Sequence, residues 1–190
     1  MKEAVVVIDF ETTGLSPAKG ARAIEVAAVK VCNGGIHSHY SSLINPGVAI
    51  PGMIQELTGI TERMRLSAPP PHRVFNELHH FIGDMPLVAH NAPFDKKFLK
   101  YEMEKQGVIR PYQFACTLKL SKRLYVMAPS YKLGQLLEYV DIEVPGNMHR
   151  ALADATATAN LWLQIVGDLQ AKRIIANNNY ETIMKYCMKP

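Results

Sequence analysis

Residues 5–17 read Val5-Val6-Val7-Ile8-Asp9-Phe10-Glu11-Thr12-Thr13-Gly14-Leu15-Ser16-Pro17. The first four are apolar and β-branched, and Phe10 extends the run. Branched side chains favour extended backbone, and an apolar run without polar alternation predicts a strand buried on both faces. From Thr12 the composition turns to Thr, Gly, Ser and Pro, which is turn chemistry. Residues two apart on a strand share a face, so Asp9 and Glu11 project together from the end of a buried element. Neighbouring carboxylates there repel each other and lose hydration. A divalent cation that prefers hard oxygen ligands, Mg²⁺ or Mn²⁺, would remove that penalty. If the strand has already ended at Asp9, both acids are simply solvated loop residues.

Working outward, Ala23 to Cys32 and His39 to Ile44 read as two further strands around the turn Asn33-Gly34-Gly35. A short helix is expected near Met53 to Leu57, and Pro69-Pro70-Pro71 forms a stiff connection. Val74, Leu78, Phe81 and Ile82 recur at helical spacing. Pro86 to His90 is a short strand, about Ala92 to Gln106 a helix ended by Gly107, and Tyr112 to Cys116 a last strand. Helices then cover about Leu118 to Val126, Leu133 to Val140 and Arg150 to Leu169. A three-strand meander followed by alternating helices and strands implies one α/β domain on a mixed five-stranded sheet. Residues 1–168 would form that domain, with 169–190 a helical extension packed on it.

Composition sets outer limits. The chain has 190 residues, 48% apolar and 20% charged, the balance of one globular domain rather than a disordered tail. A net charge of +4 permits an anionic partner without identifying one. No apolar run approaches a bilayer span, and the apolar stretch after Met1-Lys2-Glu3 is too short for a secretory signal. Cys32, Cys116 and Cys187 are far apart and form no CxxC pair, as expected of reduced thiols in a cytoplasmic protein.

Two other places carry polar residues in informative positions. Asp95 follows a short apolar strand and the turn His90-Asn91-Ala92-Pro93, in the first turn of a helix. The helix dipole alone is a sufficient reason for an acid there. Asp154 stands within the Ala- and Thr-rich helix beginning near Arg150, where Asp is disfavoured, and His149 lies just before that helix. Taken singly, His149 reads as a cap or a surface residue. Taken together, four acids and one histidine fall beside three strand ends or helix starts.

Val7-Ile8-Asp9-Phe10-Glu11-Thr12-Thr13-Gly14-Leu15, Val88-Ala89-His90-Asn91-Ala92-Pro93-Phe94-Asp95 and His149-Arg150-Ala151-Leu152-Ala153-Asp154 resemble the three motifs of the DEDDh 3′→5′ exonucleases. The likeness is greatest to the proofreading (epsilon) subunit of bacterial DNA polymerase III and its relatives. It continues through Ile24-Glu25-Val26-Ala27-Ala28-Val29, Leu57-Thr58-Gly59-Ile60-Thr61 and Ser130-Tyr131-Lys132-Leu133, over about residues 4–168. The resemblance implies a ribonuclease H-like fold and hydrolysis of single strands to nucleoside 5′-monophosphates. It implies two divalent cations, Mg²⁺ or Mn²⁺, bridged by Asp9, with Glu11 and Asp154 completing one site and Asp95 the other. It makes His149 the general base that activates the attacking water, a role suited to an unperturbed pKa near 6.5. It further implies that Thr12, Thr13, Gly14 and Leu15 hold the terminal nucleotide, and that Asn91 and Phe94 lie near the penultimate one. Core packing explains Leu15 and Phe94 equally well. Thr58 and Cys116 depart from the pattern of many relatives, which carry His and Asp there.

Lys96, Lys97 and Lys100, then Lys119, Lys122 and Arg123, and finally Arg150, offer positive charge that could track phosphates or simply solvate helix faces. The resemblance favours a DNA 3′ end over RNA as substrate, with a DNA polymerase subunit as partner and no membrane. An RNA-trimming exonuclease of the same superfamily and a non-catalytic nucleic-acid-binding module are the competing expectations. The module would be expected to lack one of the five motif residues, and none is missing.

Overall fold

The computed structural model describes residues 3–143 and 149–188. Pro145-Gly146-Asn147, the expected lead-in to His149, lies outside the described residues. Five strands, β1 (Val5–Thr12), β2 (Ala23–Cys32), β3 (Gly35–Leu43), β4 (Leu87–Ala89) and β5 (Phe114–Cys116), form one mixed sheet in the order β3-β2-β1-β4-β5. β1 is central, antiparallel to β2 and parallel to β4. That position explains its unbroken apolar sequence, because both of its faces are covered and both of its edges are paired. β3 is the outer strand of the meander. Its His and Ser residues are partly exposed, and its pairing begins at Gly35, four residues before the expected start. Residues 35–38 carry no apolar alternation, so only pairing with Cys32 to Lys30 makes them a strand.

The helices are α1 (Gly52–Thr58), α2 (Glu62–Leu66), α3 (Pro71–Ile82), α4 (Pro93–Lys105), α5 (Thr117–Leu124), α6 (Leu133–Tyr139), α7 (Ala151–Ala171) and α8 (Tyr180–Met188). α2 is not evident from the sequence, being only five residues and capped by the Thr61 side chain on the Met64 N–H. α3 begins at Pro71, which fills the first helical position where its missing N–H is harmless. Its Phe75 stacks on Phe10 of β1 at 6.3 Å between centroids. α7 crosses β1 and β2, and its Ala151, Ala155 and Ala159 are fully buried, so small side chains let helix and sheet approach closely. Trp162, Ile165 and Leu169 extend the same buried stripe. Each large apolar side chain so buried contributes about 1.5–3 kcal/mol. The ends of β1, β4 and α7 are thereby fixed relative to one another, which is what positions the polar residues below.

α8 lies against β5 and α5. Tyr180 and Ile183 are buried, and the Tyr180 hydroxyl donates to the Leu87 carbonyl at 3.3 Å. Among the described residues no helix is long and apolar enough to cross a membrane.

Candidate active site

β1 does not stop at Asp9. It runs to Thr12, and Glu11 stands directly opposite Glu25 of β2. Asp9 and Glu11 are therefore strand residues on one face, not solvated loop acids. Asp154 lies in the first turn of α7, because that helix begins at Ala151. Its position is thus one where the helix dipole favours an acid, and the expectation of an acid in a helix interior is corrected. Carboxylate oxygens of Asp9, Glu11 and Asp154 lie within 4.8 Å of one another. Asp95, in the first turn of α4, is 2% exposed and is the largest electrostatic influence on Asp9 after burial. The turn that delivers it is set by Asn91, whose φ of 64° is left-handed backbone that Asn tolerates better than most residues.

The electrostatics are those of an acidic centre whose charges are only partly offset by nearby cations. Burial, then Asp95, Asp154 and Glu11, hold the Asp9 carboxyl well above its ordinary range. Glu11 is pushed to about 8 by burial, Asp154 and Glu25, with Arg150 opposing. Asp95 is raised by burial against the pull of backbone N–H groups at Asp95 and Phe10. Asp154 is raised by burial, against the His149 N–H that donates to its Oδ2 at 3.2 Å. The other oxygen, Oδ1, is buried without a hydrogen-bond partner among the described residues. A hard divalent cation is the ligand such a set accommodates, since it satisfies the orphaned oxygen and removes the mutual repulsion.

A cavity of about 890 Å³ opens beside these acids, lined by Asp9, Asn91, His149 and Asp154 and also by Lys122 and Tyr131. His149 is exposed and sits at its edge. His90, in the same wall, differs in kind. Its Nε2–H donates to the Tyr131 carbonyl at 2.9 Å and its Nδ1 accepts from Thr117 Oγ1 at 3.0 Å, a tautomer inferred from those partners. Burial pushes its pKa down, so it is a neutral strut rather than a base. The loop after β1 is tied to itself. Thr12 Oγ1 donates to the Gly14 carbonyl at 2.8 Å, and Thr13 exchanges bonds with Arg22 through its N–H and its Oγ1. A Cβ added at Gly14 would touch Ala21 Cβ at an ordinary 3.4 Å, so the chain itself does not demand glycine there. Leu15 is 81% exposed, which excludes core packing for it. Phe94 is half-buried against Phe98 at 5.1 Å, with Lys97 4.6 Å above its ring.

The basic residues divide by their partners. Lys122 and Lys132 line the cavity, and Lys122 lies over Tyr131. Lys100 pairs with Glu104 at 3.8 Å and Lys96 faces two other cavities. Arg150 is held by Glu25 at 2.7 Å and is not a free phosphate contact. Sequence reasoning missed Glu25, His90 and Tyr131 as members of the site. The available signal was an acid, Glu25, within the largely apolar run of β2.

Residues 6–162 match the family model RNase_T, described as exonuclease. The chain is 38% identical over 170 residues to the 3′-5′ exonuclease DinG of Bacillus subtilis, covering 89% of this chain but 18% of that protein. It is also 38% identical over 168 residues to the DNA polymerase III subunit epsilon of Aquifex aeolicus, covering 88% of this chain and 82% of that one. Among solved structures, Exonuclease X in complex with 5′-overhanging duplex DNA superposes with a TM-score of 0.74 at 29% identity, over 96% of this chain and 99% of that chain. The order of the motifs, the mixed sheet and a family match over most of the chain agree: this protein belongs to the exonuclease family and has its ribonuclease H-like fold.

Proposed function

We propose that the protein is a metal-dependent 3′→5′ exonuclease that hydrolyses single-stranded DNA ends to nucleoside 5′-monophosphates, in proofreading or repair. The observation that carries this reading is the convergence of Asp9, Glu11 and Asp154, beside buried Asp95, on a cleft with exposed His149 at its edge. Asp9, Glu11 and Asp154 would hold one divalent cation, and Asp9 with Asp95 a second, Mg²⁺ or Mn²⁺. Such a pair, when bound, stabilises the attacking and leaving oxygens of a phosphodiester displacement. The chain's own part is to orient and to move a proton. The imidazole of His149 accepts the proton of the attacking water. Thr12, Thr13, Gly14 and Leu15 hold the last nucleotide, with Leu15 offering an apolar face to its base. Asn91 and the ring of Phe94 meet the next nucleotide, where stacking is blind to sequence.

DNA is preferred to RNA in this reading because the relatives include a DNA polymerase III subunit and the solved neighbour carries DNA. Association with a polymerase subunit is part of the same proposal, as is a division into an exonuclease domain, residues 1–168, and an extension, 169–190. The test is to incubate the purified protein with 5′-labelled single-stranded DNA and RNA, with Mg²⁺ or with chelator. Stepwise shortening of DNA that stops in chelator is expected. No metal-dependent shortening of either strand would refute the enzyme, and strong preference for short RNA would refute the substrate.

A further inference from the structure

We propose that Glu25 and Arg150 form a clamp that sets the position of His149, so that both act as positioning residues. The inference rests on the role proposed for His149 above. Glu25 is the third residue of β2 and 3% exposed, where an unpartnered carboxylate would be strongly unfavourable. Its two oxygens take Arg150 Nη2 at 2.7 Å, Arg150 Nε at 3.1 and 3.2 Å, and the Ala151 N–H at 2.9 Å. Ala151 is the first residue of α7, and its N–H is one of the donors a helix start leaves without an internal partner. Arg150, the capping residue, provides no side-chain cap of its own. The cap therefore comes from a strand 126 positions away in sequence.

His149 immediately precedes this clamp and has φ 67°, a left-handed backbone that a residue with a Cβ rarely adopts. Such a conformation persists only when its surroundings impose it. Asp154 Oδ2 fixes the His149 N–H on one side, and the clamp fixes the next two residues on the other. The exposed imidazole is thus carried on a tightly held backbone. The geometry favours positioning over direct contact with metal or substrate. Glu25 is not among the acids whose oxygens converge, and both of its oxygens are occupied. Arg150 spends two of its three guanidinium nitrogens on Glu25.

The test compares Arg150→Gln, Arg150→Lys, Glu25→Gln and the double Arg150→Gln/Glu25→Gln on single-stranded DNA with Mg²⁺. For Arg150→Gln, kcat should fall about 10–100-fold, as for a misplaced reacting group, with KM within about twofold and an unchanged salt dependence. Lys should not restore the rate, since one ammonium cannot make a forked contact. The double variant should fall no further than Arg150→Gln, because the two residues act as one unit. Amide exchange followed by NMR without substrate supplies an independent readout: Ala151 and His149 N–H should exchange about tenfold faster while β1 and β2 are unchanged. Wild-type rates in Arg150→Gln, full rescue by Lys, or a raised KM with a weaker salt dependence would each overturn the clamp. The last would mark Arg150 as a phosphate contact, which reduces the salt slope by about one charge. Inactivity of the unaltered protein would refute the enzyme instead, and unchanged exchange at Ala151 would then refute the clamp by itself.

Discussion

Two histidines share one cleft and are put to different use by their hydrogen bonds. His90 spends both ring nitrogens on Tyr131 and Thr117 and is kept neutral, while the ring of His149 is exposed to solvent. Replacing His149 with Gln should lower kcat by about 10²–10⁴-fold with little change in melting temperature, measured by single-turnover cleavage and calorimetry. Asp9→Asn should abolish activity and yet raise the melting temperature in chelator at about pH 8, because it removes a carboxyl whose ionised form burial and its acidic neighbours disfavour. A lower melting temperature for that variant would contradict the electrostatic account. Leu15 has almost no contact area to lose, so Leu15→Ala should leave stability within about 0.5 kcal/mol. Its KM for single strands should rise, and unchanged KM would remove Leu15 from the substrate site.

Between elements, a second ion pair sets the loop that follows β1. Glu102 of α4, 1% exposed, accepts from Arg22 Nε at 2.8 Å, Arg22 Nη2 at 2.9 Å and the Ala23 N–H at 3.3 Å. Arg22 in turn exchanges backbone contacts with Thr13. Glu102→Ala leaves the Arg22 guanidinium, among the described residues, with only the Pro46 carbonyl at 3.3 Å, and should destabilise the fold by about 3–5 kcal/mol in chemical denaturation. A loss below about 1 kcal/mol would mean the pair is screened by water. Neither Glu102 nor Glu25 stands out in sequence except as an acid at a buried spacing, since their partners are 80 and 125 positions away. The strongly patterned elements are legible: β1 and β2 from continuous branched residues, α3 from its apolar spacing, α7 from length. The start of β3 and the whole of α2 are not, because pairing and a single cap decide them.

At the scale of the whole molecule, the acids of the site couple stability to pH and to cations. Asp9, Glu11, Asp95 and Asp154 all have raised pKa values in the fold, Glu11 to about 8. Protons on these groups favour the folded state, so that stability is present below the ordinary carboxylate range and is lost as pH rises through the folded values. His90 acts in the opposite direction, because its lowered pKa contributes stability above its ordinary value that is lost in acid. The effect of a cation separates the two. Mg²⁺ should raise the melting temperature more at about pH 8 than at about pH 5.5, where protons already neutralise the acids. Equal shifts at both pH values, or none, would refute cation binding by these carboxylates.

The α/β class, the central strand, the family resemblance and the identity of the acids worth attention are legible along the chain, because branched runs, turn residues and ordered motifs are local properties. The sequence left open whether Asp9 and Glu11 were strand or loop, whether Leu15 was core or surface, and whether Arg150 was free. Those were decided by tertiary structure. β1 extends past Asp9 because β2 pairs with it to its last residue. Leu15 is exposed because the loop folds back on Arg22, and Arg150 is occupied because the register of β2 places Glu25 under the start of α7. Burial and partnership depend on what comes from elsewhere in the chain, and the energy of a charge depends on both.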